Sequence, residues 1–207
     1  GITMSSELKK SFSYLKEAGN FGSLIPVSEK SADEIDAVTQ KLKSKGSPDF
    51  IEAEVLEGLS QLKYLSPRYH CVITNPPYMG GKGMNARLSE WVKSNYPDSK
   101  SDLFAMFIER CLSLTVKTGM TGMITMQSWM FLSSFEKLRE KILNNATILS
   151  MAHLGARAFD SIGGEVVSTT AFVLGNEYMP DYKGAYLRLV DGRSEVEKNR
   201  MLLEAIK

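Results

Sequence analysis

Apolar residues recur at helical spacing through the first part of the chain. Patterns of this kind run through residues 6–18, 32–44 and 48–65, each with one apolar face. Ser31 and Glu34 have the spacing of a capping box, which predicts the start of the second helix. The sequence therefore begins with a predicted helical segment.

From residue 67 onward, short apolar runs alternate with helical patterns. The predicted strands cover residues 69–74, 120–126, 148–153, 166–174 and 185–190, and the predicted helices cover residues 102–117 and 133–143. Strands separated by helices are typical of a parallel sheet, whereas the last three strands follow one another directly, which favours antiparallel pairing. We expect an α/β fold in two parts, a helical segment over residues 1–66 and a sheet domain over residues 67–207.

A stiff polar segment, Asn75-Pro76-Pro77-Tyr78, follows the first predicted strand, and we call these four residues the ledge. Both prolines lack a backbone N–H and fix φ near about −65°, and Pro76 keeps Asn75 out of the helical region. The oxygens of the ledge can accept both hydrogens of a planar amino group, while the Tyr78 ring stacks on the attached ring. The same letters also fit an ordinary turn that ends a strand, with Tyr78 as a half-buried aromatic residue.

The position of the ledge favours the first interpretation, because ligands of open α/β sheets bind beyond the carboxyl ends of the strands. The ledge resembles the catalytic motif of amino-methyltransferases, which transfer a methyl group from S-adenosylmethionine to N6 of adenine in DNA. The resemblance covers roughly residues 69–174 and is most marked with the large adenine-specific methyltransferases of bacterial restriction-modification and bacteriophage-exclusion (BREX) systems. It includes the segments Ser101-Asp102-Leu103-Phe104, Gln127-Ser128-Trp129-Met130 and His153-Leu154-Gly155.

This resemblance implies a Rossmann-like methyltransferase sheet, present as its C-terminal half, in which parallel strands finish in an antiparallel hairpin. It implies that the Asn75 side-chain oxygen and the Pro76 carbonyl accept hydrogen bonds from the amine hydrogens, with Pro77 completing the motif. It also implies that Tyr78 stacks on an adenine turned out of the duplex. Asn75 is also expected to touch the edge of the cofactor. Phe159 resembles the second aromatic contact of the base, although a phenylalanine that only covers the core fits there as well.

Three further residues could have either a functional or a structural role. Lys82, flanked by glycines, is a candidate contact to a DNA phosphate, although the lysines of residues 80–100 also fit the solvated face of an amphipathic helix. Trp129 is a weaker candidate for lining the base cleft and is more typical of a buried core. His153 lies in an apolar strand, which is typical of a core histidine rather than of a general base.

The glycine-rich turn that binds the cofactor in such enzymes is not found in the sequence. It should follow a strand upstream of the ledge and precede an acidic residue for the ribose. The upstream cluster Gly19-Asn20-Phe21-Gly22 follows a helical pattern instead and fits a helix C-cap. We therefore expect a fragment, the catalytic half of a longer enzyme, that binds S-adenosylmethionine weakly or not at all by itself.

Composition limits the remaining options. A formal net charge of +1 over 207 residues does not indicate a stand-alone nucleic-acid-binding module. The two cysteines, Cys71 in a strand predicted to be buried and Cys111 on the apolar face of a predicted helix, fit free thiols in a reducing cytosol, and no metal-ligand spacing is present. No apolar stretch has the length of a membrane span, so we expect a cytoplasmic protein without membrane contact, with DNA and other subunits of a defence system as partners.

Three functions remain open on the sequence. The first is N6 methylation of adenine in DNA within a restriction-modification or phage-defence system. The second is methyl transfer to another planar amine, such as cytosine N4, an RNA adenine or a protein glutamine. The third is a non-catalytic DNA-binding or scaffold module in which the ledge is vestigial.

Overall fold

The computed structural model describes residues 4–159 and 167–207. The chain divides into two compact units, Gly1–Arg68 and Tyr69–Lys207. The organisation into two separate domains divided after residue 66 stays a prediction. Within the described residues, no helix combines the length and the apolar character needed to cross a membrane.

The first unit is helical, as predicted. Its helices are α1 (Ser6–Leu15), α2 (Ala18–Phe21), α3 (Ala32–Lys43) and α4 (Phe50–Leu65). The apolar faces of these helices enclose a small core, because amphipathic helices must bury one face. The fully buried side chains of that core include Leu8, Ile35, Leu59 and Leu62.

The capping box predicted at Ser31 and Glu34 is wrong. Ser31 belongs to the 3-10 turn Glu29–Ser31, and the Glu34 carboxylate accepts a hydrogen bond from the Ser5 hydroxyl at 2.7 Å. The box lies at the start of α4 instead, where Asp49 Oδ1 accepts from the Glu52 N–H at 2.8 Å. Both sites have an acidic residue three positions after a polar one, so the pattern alone does not distinguish them.

The second unit contains a five-stranded mixed sheet. Its strands are β1 (Tyr69–Thr74), β2 (Thr115–Met126), β3 (Thr147–Gly155), β4 (Thr169–Gly175) and β5 (Ala185–Arg188). Its helices are α5 (Ala86–Asn95), α6 (Leu103–Leu114), α7 (Glu136–Asn145) and α8 (Glu195–Ala205). Helix α8 was not predicted, and α6 ends at Leu114, three residues before the predicted helix end at residue 117, because β2 begins at Thr115.

The strand order is β1-β2-β4-β3-β5. β1 and β2 are parallel, and β4 is antiparallel to both of its neighbours, which confirms the predicted antiparallel pairing of β3 with β4. The predicted antiparallel pairing of the last strand is wrong, because β5 runs parallel to β3. β4 ends beside the start of β3. The chain then crosses the start of β3 and enters β5, which pairs with the edge of β3 that β4 does not occupy.

The two faces of this sheet are covered differently. On one face, α6 and α7 pack against the strands in a core that contains Phe104, Ile108, Met123, Leu138, Ile142, Phe172 and Leu174. The other face carries two cross-strand rows of mostly small residues. One row is Ile73, Gly122, Val173, Ser150 and Ala185, and the next is Ile124, Ala171, Ala152 and Leu187.

A trough of about 840 Å³ lies over the strands of this second face, and Leu202 of α8 and Ile206, directly after α8, belong to its lining. Ile73 on the edge strand β1 is 78% exposed. Cys71 was predicted to be buried but is also exposed, because it too lies on the edge strand. In the described residues, β1 is paired along one edge, with β2.

Leu138 and Leu143 of α7 test the placement of the core. We expect Leu138→Ala to lower the free energy of unfolding of the second unit by about 2–5 kcal/mol, because Leu138 is fully buried. Leu143 is 57% exposed, so Leu143→Ala should change the free energy of unfolding by about 0.5 kcal/mol or less. Urea unfolding followed by tryptophan fluorescence measures both, since Trp91 and Trp129 are buried in this unit. Equal losses from the two variants would contradict the core described above.

Candidate active site

The ledge directly follows β1, so it lies at the carboxyl end of the parallel part of the sheet. Pro76 is buried, whereas Asn75 and Pro77 are exposed and Tyr78 is half-buried. The first proline therefore holds the ledge against the protein while Asn75 faces outward. Asn75 lies outside the hydrophobic interior, as the interpretation of an amine-binding site requires. It also lies at the rim of the trough over the open sheet face.

Tyr78 is fixed by its ring and by its hydroxyl. The ring meets Phe104 edge to face, with 6.2 Å between ring centroids and an interplanar angle of 90°. The hydroxyl donates to Asn75 Oδ1 at 3.2 Å or to the Ile124 carbonyl at 3.5 Å, because it has a single hydrogen. Burial raises the pKa of Tyr78, so the phenol keeps this proton at neutral pH.

The contact between Tyr78 and Asn75 has a consequence for the site. A hydroxyl that donates to Oδ1 favours the amide orientation in which the oxygen, and not the nitrogen, faces the ring. An amide oxygen has two lone pairs, so one remains for an incoming amine hydrogen. Both residues were predicted from the sequence, but this hydrogen bond was not. Their three-residue spacing was the one signal available.

The segment after the ledge is tied to the start of α6. The Met79 N–H donates to Asp102 Oδ1 at 3.0 Å, and the Leu103 N–H donates to the Met79 carbonyl at 3.1 Å. Asp102 is also the N-cap of α6, and the same Oδ1 accepts from the Phe104 N–H at 3.3 Å. The position of Asp102 at the start of a helix was predicted from the sequence, but its link to the ledge was not.

Phe159 stays a prediction as the second aromatic contact of a base. It is half-buried and lies immediately before residues 160–166, which are outside the described part of the chain. Within the described residues, no direct ring contact joins Phe159 to Tyr78.

Lys82 is exposed in the turn of residues 80–83, which a hydrogen bond from the Gly83 N–H to the Gly80 carbonyl closes at 2.8 Å. Helix α5 begins after this turn and buries Leu88, Trp91 and Val92. The amphipathic helix proposed for residues 80–100 is therefore present, but Lys82 precedes it. A phosphate contact by Lys82 stays a prediction.

Trp129 has the structural role that the sequence favoured, whereas His153 is half-buried and is not part of the core. Trp129 is 3% exposed and lies 5.1 Å from the Phe172 ring, so it belongs to the core. The His153 Nε2 atom makes a hydrogen bond of 2.6 Å with Gln127 Oε1. Burial lowers the pKa of His153, and the positive charges of Arg188 and Lys198 lower it further. The ring is therefore neutral at pH 7 and bonded within the protein.

The described residues fit one side of a cofactor site. Gly22 has φ +49° and its N–H bonds to the Ala18 carbonyl, so the upstream glycine cluster ends a helix, as expected. In residues 4–68, the structure contains helices and no strand that could lead into a cofactor-binding turn. The trough beside Asn75 is lined by uncharged residues, which suit neither the ribose nor the charged groups of S-adenosylmethionine. A contact from Asn75 to the edge of the cofactor stays a prediction.

Comparison with known proteins places the chain in a family. It matches the model of the Eco57I restriction-modification methylase family over residues 4–159. It is 44% identical over 200 residues to the adenine-specific methyltransferase BrxX of Escherichia coli O9:H4 (strain HS), covering 94% of this chain and 17% of that protein. It is 50% identical over 144 residues to the adenine-specific methyltransferase PglX of Lacticaseibacillus casei (strain Zhang), covering 70% of this chain and 12% of that protein.

Solved structures show the same fold. One is a nuclease-deletion mutant of the Type ISP restriction-modification enzyme LlaGI in complex with a DNA substrate mimic, with a TM-score of 0.55, 17% identity, and coverage of 79% of this chain and 18% of that chain. Another is from a type I restriction-modification system, with a TM-score of 0.51, 18% identity, and coverage of 69% of this chain and 29% of that chain.

These findings confirm the predicted α/β methyltransferase fold and the predicted resemblance to adenine-specific methyltransferases. The family model covers more than half of the chain and includes β1, the ledge and α6, which together form the site described above. The chain belongs to the Eco57I restriction-modification methylase family.

Proposed function

We propose that the full-length protein transfers a methyl group from S-adenosylmethionine to N6 of adenine in DNA, as part of a restriction-modification or phage-defence system. The observation that carries this proposal is the outward-facing Asn75, whose amide oxygen is oriented by Tyr78 at the carboxyl end of a methylase-family sheet. The relatives BrxX and PglX are both named adenine-specific methyltransferases. The chain spans 17% and 12% of their lengths, so this function is proposed for the whole protein.

The ledge contributes by holding the acceptor amine. The lone pair of an adenine amine is delocalised into the ring, and a nitrogen in this state is a weak nucleophile. When Asn75 Oδ1 and the Pro76 carbonyl each accept one amine hydrogen, the nitrogen can become more pyramidal and its lone pair can leave the plane of the ring. The same two oxygens stabilise the positive charge that develops on the nitrogen. S-adenosylmethionine, when bound, would supply the methyl group from its sulfonium and leave as the neutral thioether, and the methylated nitrogen would then release one proton to solvent.

Rigidity makes this arrangement effective. The prolines fix the backbone that carries both acceptors, so little conformational entropy is lost when the base binds. Asn75 needs no reorientation, because the Tyr78 hydroxyl already holds its oxygen in place. Preorganised dipoles of this kind act without reorganisation at the moment of reaction.

Tyr78 supports the target base by stacking. An enzyme that modifies a base edge must take the base out of the duplex, and an aromatic ring compensates for the lost stacking. Phe104 braces the Tyr78 ring from one side, which leaves the tyrosine little freedom to move away from a bound base. Phe159 is proposed as the opposite wall of the base site.

DNA and other protein subunits are the proposed partners. The net charge of +1 indicates that most of the affinity for DNA comes from other parts of the full-length protein, with Lys82 as one phosphate contact from this chain. The solved relatives include an enzyme in complex with a DNA substrate mimic and an assembled type I restriction-modification system. A protein that modifies bacterial DNA would act in the cytoplasm.

The 207-residue chain by itself should bind S-adenosylmethionine weakly or not at all. The reason is that the described residues supply the acceptor side of the site, while the trough beside Asn75 is mostly apolar and has no charged residue in its lining. Isothermal titration calorimetry of the chain with S-adenosylmethionine measures this directly. A dissociation constant in the micromolar range would show that the cofactor site has been misplaced.

Asn75→Ala should lower methyl transfer by about 100-fold or more, the effect expected when one preorganised hydrogen-bonding group is removed from an active site. The measurement is mass spectrometry of nucleosides from the DNA of cells that carry the full-length protein with its natural partner subunits. Asn145→Ala is the matched control, because Asn145 is an exposed asparagine at the end of α7 whose amide bonds to the Lys141 carbonyl. This control should leave N6-methyladenine at the wild-type level.

Mass spectrometry of the DNA nucleosides, the RNA nucleosides and the digested protein of the same cells separates the alternatives. N4-methylcytosine, methylated RNA adenine or methylated protein glutamine in place of N6-methyladenine would change the substrate and retain the ledge mechanism. DNA binding without any methyl transfer by the wild-type protein would favour the non-catalytic module. Unchanged N6-methyladenine in Asn75→Ala would contradict the role of the ledge.

Two substitutions at Tyr78 separate its hydroxyl from its ring. Tyr78→Phe removes one hydrogen bond to Asn75 and should slow methyl transfer by up to about tenfold, since a neutral hydrogen bond contributes roughly 1 kcal/mol. Tyr78→Ala also removes the stacking surface, which contributes roughly 1–3 kcal/mol per base, so it should slow methyl transfer by about a further 5- to 150-fold. Steady-state rates of labelled methyl transfer to DNA measure both. Equal activity of the two variants would show that the ring does not support the base.

A further inference from the structure

A single carboxylate oxygen joins the ledge to α6. Asp102 Oδ1 accepts hydrogen bonds from the Met79 N–H at 3.0 Å and from the Phe104 N–H at 3.3 Å. Met79 is the residue directly after Tyr78, and Phe104 is the residue whose ring braces Tyr78. The backbone behind the tyrosine and the backbone under its supporting ring are thus held by the same atom.

Neighbouring backbone contacts strengthen this junction. The Leu103 N–H donates to the Met79 carbonyl, and the Gly81 N–H donates to the Ser101 carbonyl, both at 3.1 Å. Gly80 forms an isolated antiparallel bridge with Asp102. A Cβ atom at Gly80 would lie 3.5 Å from Asp102 Oδ2, so the chain passes close against this carboxylate. The exit of the ledge runs along the start of α6 as a short ladder.

The electrostatic setting of Asp102 agrees with a role as an acceptor. Burial raises the pKa of its carboxyl, and hydrogen bonds from the amides of Met79, Phe104 and Leu103 counteract this effect. Asp102 is half-buried at the N-terminus of a helix, where backbone N–H groups point toward a carboxylate. Its oxygens therefore face donors of the ledge exit and of α6.

We propose that Asp102 is a positioning residue for catalysis, which fixes Tyr78 over the target base by holding Met79 and Phe104 together. This inference rests on the proposed methyl-transfer function of the ledge. Asp102 acts through Tyr78 and touches neither substrate nor cofactor. Its role goes beyond capping α6, because the bond to Met79 joins residues 23 positions apart in sequence.

Three substitutions at Asp102 separate helix capping from positioning. Asp102→Asn keeps an oxygen at the Oδ1 position and a good N-cap, so its kcat should stay within about threefold of wild type. Asp102→Ser also keeps a capping oxygen, but its side chain is one bond shorter and loses the hydrogen bond from the Met79 N–H. Asp102→Ala loses both contacts. The serine and alanine variants should lower kcat by about 10- to 100-fold, the size expected when a reacting group is misplaced by about 1 Å. KM for S-adenosylmethionine should change by about twofold or less.

The matched control is Asp49→Ala in the first unit. Asp49 caps α4 through the same kind of bond, from Asp49 Oδ1 to the Glu52 N–H at 2.8 Å. This substitution should lower the melting temperature of its unit and leave kcat unchanged. All variants are made in the full-length protein, in the complex in which it is active. Rates are measured with labelled S-adenosylmethionine and DNA.

Hydrogen-deuterium exchange provides a second reading that does not depend on activity. The peptide that contains Tyr78 and Met79 should exchange faster in Asp102→Ser and Asp102→Ala than in wild type or Asp102→Asn, while the peptide of α7 is unchanged. If wild type makes no methylated product, the proposed function fails, and this exchange pattern still decides the positioning role. If Asp102→Ala does not fold, the serine variant decides.

Three results would overturn the inference. The first is wild-type kcat together with wild-type exchange in Asp102→Ser. The second is an Asp102→Asn variant as impaired as Asp102→Ala, which would show that the charge matters rather than the position of the acceptor. The third is a loss of kcat in Asp49→Ala equal to that in Asp102→Ala, which would reduce the effect to general loss of stability.

Discussion

Two adjacent prolines deprive the segment after β1 of backbone donors, and this constraint governs the site. Residues 75–79 belong to neither a helix nor a strand, so the regular hydrogen bonds of those elements do not hold the ledge. Besides the backbone bond from the Leu103 N–H to the Met79 carbonyl, side chains fix it, through the Tyr78 hydroxyl on Asn75 at one end and the Asp102 carboxylate on Met79 at the other. The stiffness that the prolines give the backbone is useful for catalysis only because these two contacts fix where the stiff segment points.

The hydrophobic core supports the site directly. Phe104 is 1% exposed, belongs to the cluster between α6, α7 and the sheet, and also braces the Tyr78 ring. The packing that stabilises the second unit therefore also orients the aromatic ring of the ledge. The opposite sheet face has a different character, with rows of small residues and an exposed Ile73, and it contributes Asn75 at its rim.

Local chemistry made much of this architecture predictable. The position of the ledge followed from two prolines after an apolar run, and the core strands followed from their periodicity. The pairing of β5 was not predictable in this way, because it depends on which edge of β3 the returning chain reaches. The exposure of Cys71 was missed for a similar reason, since burial of a strand depends on its neighbours in the sheet.

The hydrogen bonds of the candidate site were the least predictable part. Asp102 could be recognised as a helix cap from local sequence, but its bond to Met79 spans 23 residues and has no signature in either segment. Likewise, Ser31 and Glu34 matched a capping pattern that the structure places at Asp49 and Glu52. Short patterns restrict which bonds can form, and the tertiary arrangement selects among them.

The most direct test of the account is a structure of the full-length protein bound to DNA and a non-reactive cofactor analogue. The account predicts an adenine turned out of the duplex, with its N6 about 2.7–3.2 Å from both Asn75 Oδ1 and the Pro76 carbonyl, at hydrogen-bond distance. It also predicts the Tyr78 ring stacked on that base. A target base whose amine contacts other residues, with Asn75 Oδ1 beyond about 3.5 Å, would contradict it.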